Sequence, residues 1–299
     1  MSGCTQFAAG YYVSQGKAKY AKGDFEHAIQ DFNTAIGLNP DLMAAYNDRG
    51  LAYNAKGDHD RAIQDFDYVL SRTPHDSLSL NNRGFAYYSK RDYDRAIQDY
   101  DASIHLNPNF AVAFSNRCLA YYQKGDQTRA ITDCTESIRL NPNESRAFNN
   151  RALAYNKSGD HARAVHDYDE AIRLNPNDAM YYSNRGYAYY SESNFSHAIQ
   201  DYDEAIRLNP RYAVAFNNRG LAYHDSGDLD HALADYNEAL RLNPNLAAAF
   251  NNRGRLYDAK GDYDLAIQDY SNAIRLNPDD ALAVMNRDTA YNHKNGRHH

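Results

Sequence analysis

Every proline in the chain lies 34 residues from the next: Pro40, Pro74, Pro108, Pro142, Pro176, Pro210, Pro244 and Pro278. A fixed period of this size is the mark of stacked supersecondary units, none of which buries its apolar face alone. With proline set at position 32, eight full repeats run over residues 9–280. Residues 1–8 then form an N-terminal leader, read as irregular chain, residues 281–294 a C-terminal capping helix and residues 295–299 a loose tail.

The seventh repeat, residues 213–246, shows what each unit contains. Phe216, Gly220 and Tyr223 stand at positions 4, 8 and 11, and Ala232, Tyr236 and Ala239 at 20, 24 and 27. Both sets have helical spacing, which predicts two helices with one apolar stripe each. Between them lies Ser226-Gly227-Asp228. Gly227 suits the left-handed residue that ends a helix. Asp228 suits the N-cap of the next one. Asp24, Asp58, Asp92, Asp126, Asp160, Asn194 and Asp262 fill the same slot in the other repeats. Leu242-Asn243-Pro244 closes the second helix, because proline disfavours helix in the residue before it.

This pattern resembles the tetratricopeptide repeat: aromatic at 4, small at 8, Tyr at 11, Ala at 20, aromatic at 24 and Pro at 32. The resemblance implies an all-α solenoid, a right-handed superhelix of antiparallel helix pairs. It also implies a concave groove, lined by the first helices, that holds a peptide or a partner's helix. The expected function is a non-catalytic protein–protein interaction scaffold. Two alternatives remain: a substrate-targeting arm of a larger enzyme, and a self-assembling structural solenoid.

The chain departs from that family at position 7, where Arg replaces Leu: Arg49, Arg83, Arg117, Arg151, Arg185, Arg219, Arg253 and Arg287. Position 23 is always Asp, from Asp31 to Asp269. Repeat 1 has Gln15 in place of the Arg, and the last partial unit has no second helix. Pairing each Asp with the Arg of the next repeat leaves no charge over. That count predicts inter-repeat bridges from Asp31–Arg49 to Asp269–Arg287.

One face of the first helices, positions 2, 5, 6, 9, 12 and 13, is free of the core stripe. Position 6 holds Asn82, Asn116, Asn150, Asn184, Asn218 and Asn252, and position 5 holds Asn81, Asn149 and Asn217 among others. Asparagine is a mediocre helix former. A carboxamide donates and accepts, which suits the main chain of an extended peptide. The ladder resembles the asparagines along the superhelix of O-GlcNAc transferase. Two readings stay open: the amides hold a ligand, or they bond a neighbouring helix. Tyr88, Tyr122 and Tyr190 at position 12 complete the expected groove. The family's clamp for an acidic C-terminus needs Lys at position 5 and Asn at position 9, and no repeat has either.

Net charge is −7, which gives no footprint for nucleic acid or an anionic membrane. No run of apolar residues is long enough to span a bilayer. The expected partner is a protein or peptide, with self-association left open. No motif implies a cofactor, a metal or catalysis. Three cysteines form no disulfide framework, which suggests a reducing compartment, hence the cytoplasm. The context of Cys4 leaves a lipoprotein or exported form as the alternative. Cys118 and Cys134 occupy positions 8 and 24 of repeat 4, and read as a volume trade between two buried, reduced thiols. Asp288, at position 8 of the last unit, predicts a wet end face.

Overall fold

The computed structural model describes residues 3–296, and side chains from Thr5 onward. Among the described residues there are seventeen α-helices and no strand. They alternate as first and second helices of each repeat, as in Ala213–Asp225 followed by Leu229–Leu242. The fold is an all-α solenoid. It divides into two compact units, residues 1–154 and 155–299, with the division inside the helix Ser145–Lys157.

Local chemistry sets the helix ends. Gly57 has a φ of 89°, the left-handed conformation that stops a helix. The Asp58 carboxylate then accepts the Arg61 backbone N–H at 3.2 Å. The same cap forms at Asp24, Asp92, Asp126, Asp160, Asn194 and Asp228, but the Asp262 side chain makes no such bond. The C-cap residue before each proline, Asn everywhere but at Thr73, is extended or nearly so, as at Asn243 with φ −136° and ψ 93°.

The core is built on close approach. Ala52, Ala86, Ala120, Ala154, Ala188 and Ala222 at position 10 are fully buried, as are the position-20 alanines. Position 8 meets the ring at position 24 of its own repeat: a Cβ on Gly84 would come within 2.8 Å of the Tyr100 ring. That contact explains glycine there. It also leaves the Tyr100 and Tyr236 hydroxyls buried with no hydrogen-bond partner, although burial pushes both phenols up. Repeats 1 and 2 have Phe32 and Phe66 in this slot. Tyr236→Phe is therefore expected to raise stability by about 1 kcal/mol, since a buried unpaired hydroxyl is removed. Chemical denaturation of the two proteins checks this, and a loss of stability would show that the hydroxyl is satisfied in solution.

Both chain ends are more helical than the sequence suggests. The first helix runs Gly3–Ala21, so it takes in residues 3–8 of the expected leader. No helix breaker intervenes between Thr5 and Ala9. Met1 and Ser2, and the side chain of Cys4, lie outside the described residues. The last helix runs Ala281–Gly296 and absorbs the start of the expected tail; Arg297, His298 and His299 lie outside the described residues. Asp288 is exposed there, as its position predicts, with Leu282 and Met285 also more than half exposed. No helix of the described residues is long and apolar enough to cross a membrane.

Candidate functional site

The register of charges differs from the sequence expectation. Six of the position-7 arginines pair with the Asp of their own repeat. Arg219 donates from Nε and Nη2 to the two Asp235 oxygens at 2.8 and 2.6 Å. Arg49–Asp65, Arg83–Asp99, Arg117–Asp133, Arg185–Asp201 and Arg253–Asp269 repeat this two-pronged geometry. The expected inter-repeat bridges, Asp31–Arg49 onward, are thus overturned. Asp31 pairs instead with Lys19 at 2.6 Å, and Arg287 with Asp288 at 3.1 Å. Residues outside the pattern neutralise the ends, so counting within the pattern misleads.

The arginines still tie repeats together, through a residue the sequence reading passed over. Nη1 of Arg83 and Arg219 reaches back to Asp67 and Asp203, at position 25 of the preceding repeat, at 2.6 and 2.5 Å. Asn33, Asp101, Asp169 and Asn237 serve Arg49, Arg117, Arg185 and Arg253 in the same way. The acidic bias at position 25 was the available signal. Burial raises the Asp65, Asp133, Asp201 and Asp235 carboxyls even against the bound guanidinium. Desolvation thus outweighs the pairing at these sites, and these arginines are occupied by structure rather than open to an anionic ligand.

The asparagine ladder forms a chain of amides. Within residues 1–154, Asn81 donates to Asn82 at 3.4 Å and Asn149 to Asn150 at 3.3 Å. Asn116 donates back to Asn81 at 2.9 Å and Asn150 to Ser115 at 3.2 Å. Within residues 155–299, Asn217 donates to Asn218 at 3.0 Å, and Asn252 to Asn217 at 3.0 Å. Asn81, Asn82, Asn149, Asn150 and Asn217 are buried; Asn116, Asn184, Asn218 and Asn252 are half-buried. Position-6 amides therefore reach position 5 of the preceding repeat. Each carboxamide so used keeps further donor and acceptor capacity. In repeat 2 the position-6 residue is Asp48, paired with Lys17 at 3.3 Å, and burial raises its carboxyl.

Tyr88, Tyr122 and Tyr190 are half-buried on the same helix face. Gln123 donates to the Tyr88 hydroxyl at 3.4 Å, and the Tyr190 hydroxyl donates to Asp225. Burial and that carboxylate both push the Tyr190 phenol up. Apolar side chains stand on the same face at positions 2 and 9: Leu78, Phe85 and Val112 in one unit, Met180, Tyr187 and Val214 in the other, all well exposed.

Cys118 and Cys134 are fully buried, as expected, but they are joined in a disulfide rather than reduced. Positions 8 and 24 face each other at a Cα–Cα distance of 5.5 Å, well inside the range a disulfide spans. Two small residues at facing positions were a sign of contact, not only of volume exchange. A stable disulfide is uncommon in a reducing compartment, so the cytoplasmic expectation loses the premise it rested on.

Helix pairs repeating every 34 residues and a glycine-on-ring core define a helical-repeat protein of the solenoid class. Sequence models described as tetratricopeptide repeat match residues 13–77, 77–110, 145–178, 213–246 and 247–280, and one described as TPR repeat matches 186–227. Together they cover most of the chain, which belongs to the tetratricopeptide repeat family. No curated protein sequence matches it. Among solved structures, a chain of the APC/C hetero-tetramer Cut9–Hcn1 is similar at 17% identity with a TM-score of 0.74. The match covers 93% of this chain but 55% of that one, so the chain spans about half the length of that relative. A tetratricopeptide repeat protein of Parabacteroides merdae is similar at 19% identity and a TM-score of 0.64, covering 82% of this chain and 97% of that one. A thermophilic TPR protein of Thermus thermophilus follows at 20% identity and 0.56, covering 60% and 98%. These likenesses support the fold.

Proposed function

We propose that the chain is a non-catalytic scaffold that holds a peptide or partner segment on the face of its first helices. The supporting observation is that this face repeats in register, with Tyr88, Tyr122 and Tyr190 among exposed apolar side chains and few charges. Tyrosine is enriched where proteins bind. Asn82, Asn116 and Asn150, with Asn184, Asn218 and Asn252, contribute the amide capacity they do not spend on each other.

Peptides selected from a random library against the whole chain provide the probe. Changing Asn82, Asn116 and Asn150 together to Ala is expected to weaken a selected peptide at least tenfold, because each amide contributes roughly 0.5–1.5 kcal/mol. Alanine is the better helix former, but Asn81 and Asn149 lose buried partners, so the melting temperature is expected to fall modestly along with the affinity. An unchanged affinity together with a lower melting temperature would make the ladder packing alone.

A further inference from the structure

Repeats 3 and 6 differ from the other six in the same places. Only they carry an aromatic at position 9, Phe85 and Tyr187, and only they lack glycine at position 15, where Arg91 and Ser193 stand. Both of these residues nevertheless hold a positive φ, 62° and 59°. That conformation is uncommon outside glycine and is retained at some cost. Position 13 is Ser only here, and Ser89 and Ser191 both donate to the position-9 carbonyl at 2.9 Å. The two sites are therefore built alike, one inside each compact unit.

Each site is an aromatic shelf. The Phe85 and Tyr88 rings stack with centroids 6.3 Å apart and planes 9° from parallel; Tyr187 and Tyr190 lie 6.4 Å apart at 24°. Tyr93 and Phe195, on the following helices, back Tyr88 and Tyr190 at 5.5 and 5.8 Å. Phe85 is 41% exposed and Tyr187 50%, so the outer ring of each pair is open.

We propose that these are two copies of one binding site, each taking a proline-rich segment in the polyproline II conformation. This rests on the first-helix face being the binding surface, and it names the ligand. Three features select that chemistry. The face positions 2, 5, 6, 9, 12 and 13 of repeats 3, 4 and 6 carry no charge, and the Asp225 that repeat 7 sets beside the second site is already engaged by the Tyr190 hydroxyl and His224, so an ionic segment would lose water for little counter-charge. Beside the first site Asn81, Asn82 and Asn116 spend part of their amides on each other, and at the second site position 5 is Ser183 rather than Asn, which leaves fewer amides for a strand-like ligand that needs many main-chain partners. Proline brings no N–H to satisfy, and the polyproline II helix is ordered before it binds. Docking of such segments on aromatic-lined grooves is a general recognition mode. Twin sites imply a partner in which the motif recurs.

Titration calorimetry of the whole chain with a blocked oligoproline peptide tests this, with a blocked alanine-rich peptide of equal length as control. The expected result is two equivalents of oligoproline bound and none of the control. Phe85→Ala with Tyr88→Ala is expected to leave one equivalent, as is Tyr187→Ala with Tyr190→Ala, and all four changes none. Circular dichroism identifies any variant that fails to fold, and single Phe85→Ala and Tyr187→Ala changes, at exposed rings, then replace it with an expected tenfold loss at one site each. A stoichiometry of one, no binding, or binding that survives all four changes overturns the proposal. If oligoproline fails while a library-selected peptide still binds the first-helix face, the ligand class is wrong and the scaffold reading stands.

Discussion

Replacing Arg219 by leucine is expected to cost on the order of 3–5 kcal/mol, because Asp235, with a side chain only 7% exposed, would keep its burial and lose its countercharge. The double change Arg219→Leu with Asp235→Leu is expected to recover most of that loss. A hydrophobic pair of similar volume often does as well as a buried ion pair. Arg219→Leu with Asp201→Leu is expected to be worse than the single change, since Asp201 belongs to Arg185. The coupling in these double-mutant cycles reads the register directly. Rescue by the Asp201 change instead would restore the pairing between neighbouring repeats.

Reducing the Cys118–Cys134 disulfide is expected to lower stability by about 3 kcal/mol, the entropic value for a closed loop of roughly this length; the two cysteines are 16 residues apart. Melting curves with and without a phosphine reductant measure it. The variant Cys118→Gly with Cys134→Tyr installs the pair that Gly84 and Tyr100 form one repeat earlier. It is expected to melt close to the oxidised protein and to ignore reductant. Alkylation of both thiols in freshly purified, folded protein, with no change in melting on reduction, would show that the bond is not made.

Much of the fold is legible in the chain. Proline spacing sets the repeat, Gly57 and Asp58 mark one helix junction, and Ala232 and Tyr236 mark the core face. These signals are local, and local chemistry decides them. Partner choice is not local. A position-7 Arg lies between the Asp of its own repeat and the preceding repeat, and charge counting does not separate the two. The discriminating fact is steric: a glycine at 8 under a ring at 24, as with Gly84 and Tyr100, brings positions 16 apart into contact. Positions 7 and 23 share that offset, and so do Cys118 and Cys134. For the candidate site, the residues on the first-helix face were legible, but the amide chain from Asn116 to Asn81 was not, because helix periodicity gives a face and not its neighbour.

Arg219 grips its own repeat with two prongs and the preceding one with a single prong, on Asp203, which is 51% exposed. The stronger part of each ionic set is thus internal to a repeat and the weaker, water-screened part lies at the seam. In a linear array, stability divides into intrinsic and nearest-neighbour terms. Weight moved from the seam into the unit makes the array less all-or-none: terminal repeats open while inner ones stay closed. Hydrogen exchange would then grade inward from each end of a unit, and added salt would steepen that gradient by loosening the seams first.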